Sequence, residues 1–346
     1  MRQTLCYIPE TLFGHPLFGW GWGLGLLFLA VLLSHSYQFV RHRKISDIGS
    51  SIALLVIGGV MFVFILPRLA VPGLGVPIRG YGFCLLLAIL AALGLVQLLA
   101  KRQSIPSEKA LSLCFWAVIS GIIGARLFYV TEYWQEMLLD EQTRQFLPFS
   151  TLVSRILNVP DGGLVVFGSV LGGMLGTLIF MYRNKMPVLK TFDILATALP
   201  LGMAIGRIGC LLNGCCFGGV TDSAWGIVFP IGSPAHFQQV EAGLISAKQM
   251  PLPVLPTQIF SSLLALLLCG TLLVLGRLRF YQQRSGLVFA SFMMLYAGGR
   301  FMIEFLRNDE GSFFGTGLTI AQNVSIMFFL GGVVLCAYAC WNKNKT

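Results

Sequence analysis

Gly202–Gly218 reads GMAIGRIGCLLNGCCFG. It closes an apolar run that begins near residue 191, and within it Arg207, Cys210 and Asn213 stand three residues apart. That spacing places the three on one face of a helix. An apolar run of about 20 residues is the length of a membrane-crossing helix. A guanidinium inside one is costly, because hydrocarbon offers no water to solvate it, so it faces a polar cavity or a partner. The stretch therefore predicts a membrane helix carrying a functional arginine.

The rest of the chain has the same character. Of 346 residues, 56% are hydrophobic and 11% charged, far from the balance of a soluble domain, so the fold class is all-α, polytopic and membrane-integral. The net charge of +10 comes from short Lys/Arg clusters between apolar runs. That pattern fits anchoring at a membrane surface and argues against nucleic acid as a partner. Cys84, Cys114, Cys210, Cys269, Cys336 and Cys340 lie in or at the ends of apolar runs, where a cysteine serves as a small packing residue, and no disulfide framework is expected. The N-terminus lacks the pattern of a cleaved signal peptide, since Pro9, His15 and Pro16 precede the first apolar run.

Read for span length, the sequence gives nine candidate helices, near 18–40, 50–67, 81–100, 110–130, 163–182, 191–213, 254–276, 286–306 and 319–341. Basic clusters follow every odd span: Arg41, Arg43 and Lys44; Lys101, Arg102 and Lys109; Arg183, Lys185 and Lys190; Arg277, Arg279 and Arg284; Lys343 and Lys345. Because cytoplasmic loops carry the excess of base, the alternation predicts the N-terminus outside and the C-terminus in the cytoplasm. The long loops 131–162 and 214–253 then lie outside, the second with Trp225–Pro230 and His236, which puts the chemistry at the outer leaflet. His15–Leu33 and Val76–Gly94 share a Gly-aromatic-Gly step before an apolar run, either a duplicated entry helix or two similar interfacial starts.

Besides Arg207, two further sites of intramembrane charge stand out. Arg126 lies near the end of the fourth span. In the eighth, Tyr296, Arg300 and Glu304 fall at i, i+4 and i+8, with Arg307 three further on, one polar stripe on an otherwise apolar helix. A guanidinium offers a planar fork suited to phosphate, and Glu304 can pair with Arg300 or Arg307; a plain packing ion pair is the alternative. Arg207 and Arg300 on separate helices, without as many buried carboxylates, imply an anionic ligand such as a phospholipid headgroup. Gly168 and Gly172 form a GxxxG in the fifth span, a signal for close helix packing that also leaves room for a lipid chain. Cys210, Cys215 and Cys216 lack C-x2-C spacing, and the four histidines are scattered, so no metal and no cofactor is expected. A reactive thiol at Cys215 or Cys216 is a further reading, because a nearby cation lowers thiol pKa. No Ser-His-Asp, G-x-S-x-G, Walker or dinucleotide pattern occurs.

These motifs together resemble the prolipoprotein diacylglyceryl transferase family. The resemblance is carried by GRIGCLLNGCCFGGVTDSAWGIVFP from Gly206, IRGYG (Ile78–Gly82), GARLFYV (Gly124–Val130), GGLVVFGSVLGG (Gly162–Gly173), PTQIF (Pro256–Phe260) and LYAGGRFMIEFLRND (Leu295–Asp309), in family order. It implies a seven-helix core over residues 76–346, with residues 1–75 an added helix pair. It implies transfer of the diacylglyceryl group of phosphatidylglycerol to the lipobox cysteine of a prolipoprotein, with glycerol phosphate released, in the bacterial inner membrane. Arg207, Arg300 and Tyr296 fall on catalytic positions, and Arg207, Asn213, Tyr81, Arg126, Glu304 and Gly168 on substrate-binding ones. Two departures stand out. Phe167 occupies a position where many members carry a histidine, and Cys210 one where asparagine is familiar; the first leaves the proton acceptor to Arg300, Tyr296 or water. A related transferase with another acceptor, or a non-catalytic lipid-binding or transport protein, are the alternatives.

Overall fold

The computed structural model describes residues 3–12, 15–18, 21–42, 55–56, 58–139, 146–157, 163, 165–307 and 317–342. The chain is helical almost throughout. The principal helices are α1 (Trp22–His42), α2 (Gly80–Arg102), α3 (Ser107–Glu132), α4 (Phe149–Leu157), α5 (Val166–Arg183), α6 (Val188–Asn213), α7 (Pro234–Glu241), α8 (Thr257–Leu275), α9 (Leu287–Glu304) and α10 (Ile320–Trp341). Among the described residues, α2, α3, α6, α8, α9 and α10 are long and apolar enough to cross a membrane, and Trp22–Val31 and Phe167–Arg183 are shorter apolar helices. Of the expected second span, residues 50–54 and 57 lie outside the described residues. Its described part includes a π-helical turn at Met61–Ile65, continued by a short helix at Leu66–Leu69. Leu267, Val334 and Met327 are exposed on their helices, as side chains facing lipid rather than a core would be.

Two compact units make up the chain. The first comprises Met1–Leu86, Ile208–Phe217 and Asp222–Pro253. Its strand β1 (Thr4–Ile8) pairs antiparallel with β4 (Val76–Arg79), while β2 (Thr11–Leu12) pairs with β3 (His15–Pro16). Sequence pattern does not reveal these short strands, yet they explain the internal echo, since both echoed segments enter a helix from a strand. Gln239 fastens the later part of the unit in both directions: its Nε2 donates to Leu252 O at 3.1 Å and its Oε1 accepts from Leu252 N at 2.7 Å. Ser233 caps α7, its hydroxyl accepting from His236 N. His236 is buried and its Nδ1 accepts from Gly232 N at 3.3 Å, while its Nε2 has no hydrogen-bond partner among the described residues.

The second unit comprises Leu87–Arg207, Gly218–Thr221 and Val254–Thr346. Helices α3 and α5 meet along glycines. A Cβ at Gly124 would collide with Gly168 O, one at Gly168 with Gly124 O, and one at Gly172 with Ser120 O. With no side chains between them the backbones touch, the membrane solution to helix association. Gly168, expected among substrate-binding residues, thus stands with its Cα against α3. Leu113, Met181, Ile194 and Ala198 belong to one buried cluster, and Ala196, Leu268, Leu272, Val288 and Phe292 to another. Polar ties hold the second: Ser262 Oγ donates to Ala204 O at 2.8 Å, and Asp193 accepts from Gly286 N at 2.7 Å and Phe289 N at 2.8 Å. Asp193 is therefore a cap for the first turn of α9, whose orphan N–H groups a carboxylate satisfies.

The glycine seam gives a direct expectation. Gly124→Leu or Gly172→Leu forces α3 and α5 apart and lowers stability by about 1–3 kcal/mol or more, read as a fall in thermal midpoint of the detergent-solubilised protein; an unchanged midpoint in both would contradict this packing.

Candidate functional site

Arg207 stands on α6 one turn beyond Met203. Tyr296, Arg300 and Ile303 succeed one another down a single face of α9, and Ser261, Leu264 and Ala265 come from α8. These side chains line one narrow cleft of about 20 Å³. The cleft brings together Arg207, Arg300 and Tyr296, which lie far apart in the sequence. Apart from Ser261, its other walls are apolar.

Each polar member is held differently. Tyr296 is fixed through its ring, stacked on Phe292 at 5.5 Å and edge-on to Phe328 at 6.2 Å. Arg300 forms an ion pair with Glu304, whose side chain is 1% exposed against 20% for Arg300. The other carboxylate oxygen accepts from Thr319 Oγ1 at 3.1 Å, and Thr319 is itself the N-cap of α10, in a reciprocal box with Gln322. Glu304 thus has both oxygens engaged and orients Arg300; the pair is the predicted (i, i+4) partner, with Thr319 the member that sequence spacing did not indicate. Arg207 is half-buried and, among the described residues, has no hydrogen-bond or ion-pair partner. The cleft therefore has two guanidinium groups on its walls, and the Glu304 carboxylate, which is not itself on the lining, pairs with one of them.

The remaining expected residues have other surroundings. Arg126 donates from Nε to Ile156 O at 2.8 Å, from Nη2 to Arg155 O at 2.6 Å and from Nη1 to Gly163 O at 3.0 Å, with Tyr129 beneath its guanidinium at 5.1 Å. It pins the end of α4 and Gly163 to α3. These bonds give it an anchoring role in the fold. Tyr81, in the first turn of α2, is 42% exposed and packs beside Gly209, where an added Cβ would lie 3.3 Å from its ring. The Asn213 carbonyl accepts from Gln3 Nε2 at 3.3 Å. Phe167 is exposed in the first turn of α5.

The three cysteines behave contrary to expectation. The helix ends in a tight turn: Gly214 N and Cys215 N both donate to Cys210 O, at 2.9 and 3.1 Å, with Gly214 at φ +79° and Cys216 at φ +60°. The turn folds the chain back so that the sulfurs of Cys210, Cys215 and Cys216 all lie within 4.8 Å of one another. The hydrogen bond with Cys210 acts to lower the Cys215 thiol, but the bond to Cys216 and burial outweigh it and leave this pKa raised. The reading of Cys215 as an activated thiolate is thereby reversed.

A family model described as prolipoprotein diacylglyceryl transferase matches residues 69–338. The chain belongs to the prolipoprotein diacylglyceryl transferase family. Among its relatives is the phosphatidylglycerol–prolipoprotein diacylglyceryl transferase of Rhodopirellula baltica, 34% identical over 255 residues, covering 70% of this chain and 50% of that protein. The second such transferase of Clostridium perfringens is 34% identical over 271 residues, covering 78% and 93%. That of Synechococcus elongatus is 33% identical over 261 residues, covering 74% and 82%. The chain thus spans half the length of the first and most of the other two. Membership in this family, with the long apolar helices, makes the chain a transferase and a multi-pass bacterial membrane protein.

The orienting contact is open to test. Glu304→Gln removes the charge that aims Arg300, and since misplacement of a catalytic group by about 1 Å costs on the order of 10²-fold, transferase turnover should fall by about that factor. Thr319→Val, which removes one bond and keeps the charge, should cost roughly tenfold or less; equal losses in the two variants would mean the ion pair is not what orients the cleft.

Proposed function

We propose that the chain transfers the diacylglyceryl group of phosphatidylglycerol to a cysteine thiol of a prolipoprotein. The single observation that supports this most is the cleft with Arg207 and Arg300 on two helices and only Glu304 to balance them. A half-buried guanidinium without a partner among the described residues calls for an anion, and the planar fork matches a phosphodiester. Family membership supplies the identity of donor and acceptor.

The chemistry assigned to the cleft is a displacement at carbon. The acceptor sulfur loses its proton and forms a C–S bond to the glycerol carbon of the diacylglyceryl group. The C–O bond to phosphate breaks, its electron pair leaves on that oxygen, and glycerol phosphate departs as a phosphate monoester that can take up the proton. The nucleophile is the thiolate. Arginine stays protonated and is no base, so Arg207 and Arg300 serve by holding the phosphate and stabilising the charge that gathers on the leaving oxygens. Tyr296 lies on the same wall as a hydrogen-bond donor. Tyr81 and Asn213 are proposed as substrate contacts on the resemblance alone.

The membrane setting agrees with this chemistry. Residues 76–346 are the transferase core and 1–75 an addition, in keeping with a family match that begins at residue 69. The basic clusters after alternate spans favour the N-terminus outside, and the family resemblance implies the bacterial inner membrane, so that the lipobox cysteine of a signal peptide reaches the cleft from the outer leaflet.

In cells depleted of their own transferase, this chain should restore the diacylglyceryl mass increment on a model prolipoprotein. Arg207→Ala and Arg300→Ala should each lower it by about 10²–10³-fold, the usual cost of removing one preorganised charge-stabilising group. An adduct at wild-type level in both variants, with the protein present in the membrane, would refute the assignment.

A further inference from the structure

The turn after α6 gathers more sulfur than packing requires. Cys210 is the last but three residue of the helix; Cys215 and Cys216 come next across Gly214. Cys84 and Cys269, by contrast, are buried outside any such cluster, and Cys269 Sγ donates to the Thr197 carbonyl at 3.5 Å. Here three sulfurs converge within 4.8 Å, and each is half-buried. Thiolates bound to one zinc ion at about 2.3 Å stand somewhat under 4 Å apart, a separation these three reach with small rotamer changes. No disulfide joins any pair of them.

We propose that Cys210, Cys215 and Cys216 form a three-thiolate site for a soft divalent metal ion of the zinc type. The C-x4-C-C spacing hides it, because the pairs familiar from zinc ribbons bridge two turns of chain, whereas here one helix end and one left-handed turn supply all three ligands. The backbone holding them is fixed independently of any ion. Cys210 O accepts the two N–H bonds of the turn. Phe229 and Ser233, both fully buried, close over Gly214, where an added Cβ would lie 3.1 Å from the Phe229 ring and 3.3 Å from Ser233 Cβ. The ligands are thus carried on a rigid support, which reduces the ordering cost of binding. Binding replaces three S–H protons by one dication, and the protons are released to solvent. Three protein ligands leave a fourth position of the tetrahedron for water or another thiolate, as in zinc sites that keep an open position.

The test uses the full-length protein in detergent, stripped with a chelator under reducing conditions and then exposed to Zn²⁺, or to Co²⁺ as a coloured probe. The expected result is one metal per chain by elemental analysis. Co²⁺ should give thiolate charge-transfer absorption, and Cys215→Ser and Cys216→Ser should each reduce uptake at least tenfold. Should either variant fail to fold, alkylation of the wild type decides. Zinc should protect Cys210, Cys215 and Cys216 from maleimide while exposed Cys6 and Cys340 react as before. Metal uptake unchanged in both serine variants, absence of protection, or a disulfide between two of the three in place of uptake would each overturn the proposal.

Discussion

In the hydrocarbon core of a bilayer a polar group is satisfied by protein or not at all, and the second unit is arranged around that constraint. Asp193 answers it by taking two backbone N–H groups of α9. Ser262 and Thr197 answer it by donating to carbonyls of neighbouring or preceding turns. Arg126 gives its guanidinium to two carbonyls at the end of α4 and to that of Gly163. Arg300 is matched by Glu304. Against that background Arg207 stands out, because among the described residues it has no hydrogen-bond or ion-pair partner.

The same constraint explains why the helices around the cleft differ in how they pack. Where α3 and α5 need only adhere, side chains are dispensed with and glycine backbones touch. Where α6 and α9 present charged groups beside α8, the neighbouring contacts are bulky, with Leu268, Leu272 and Phe292 buried together. Bulky, interlocked side chains hold rotamers and axial register more firmly than a smooth glycine seam. The mutual placement of Arg207 and Arg300 depends on that register, because the fork of a guanidinium is directional.

The costly features are the legible ones. Arg207 and the Tyr296–Arg300–Glu304 stripe can be found in the sequence because charge in an apolar run has to be explained, and the structure places three of these residues on one cleft and the fourth beneath it. Arg126 carries the same signal, but its partners are backbone carbonyls of Arg155, Ile156 and Gly163, which leave no trace in residue type. Gly168 can be read both ways, and its neighbour in the structure is Gly124. Asp193 is inconspicuous as a single acid in the first turns of a span, and its partners are N–H groups that nearly every residue possesses. The sulfur cluster is hidden for a geometric reason: helical spacing counts residues along one axis, and the chain reverses at Gly214. The short strands flanking the first helices are too brief to show alternation.

The hydrogen bond from Thr319 to Glu304 also governs how this protein tolerates change. It fastens the end of α9 to the start of α10, and so joins the two ends of the connecting segment 305–318 at the very residue that aims Arg300. A change at Thr319 therefore reaches Arg300 through Glu304, although the two lie on different helices.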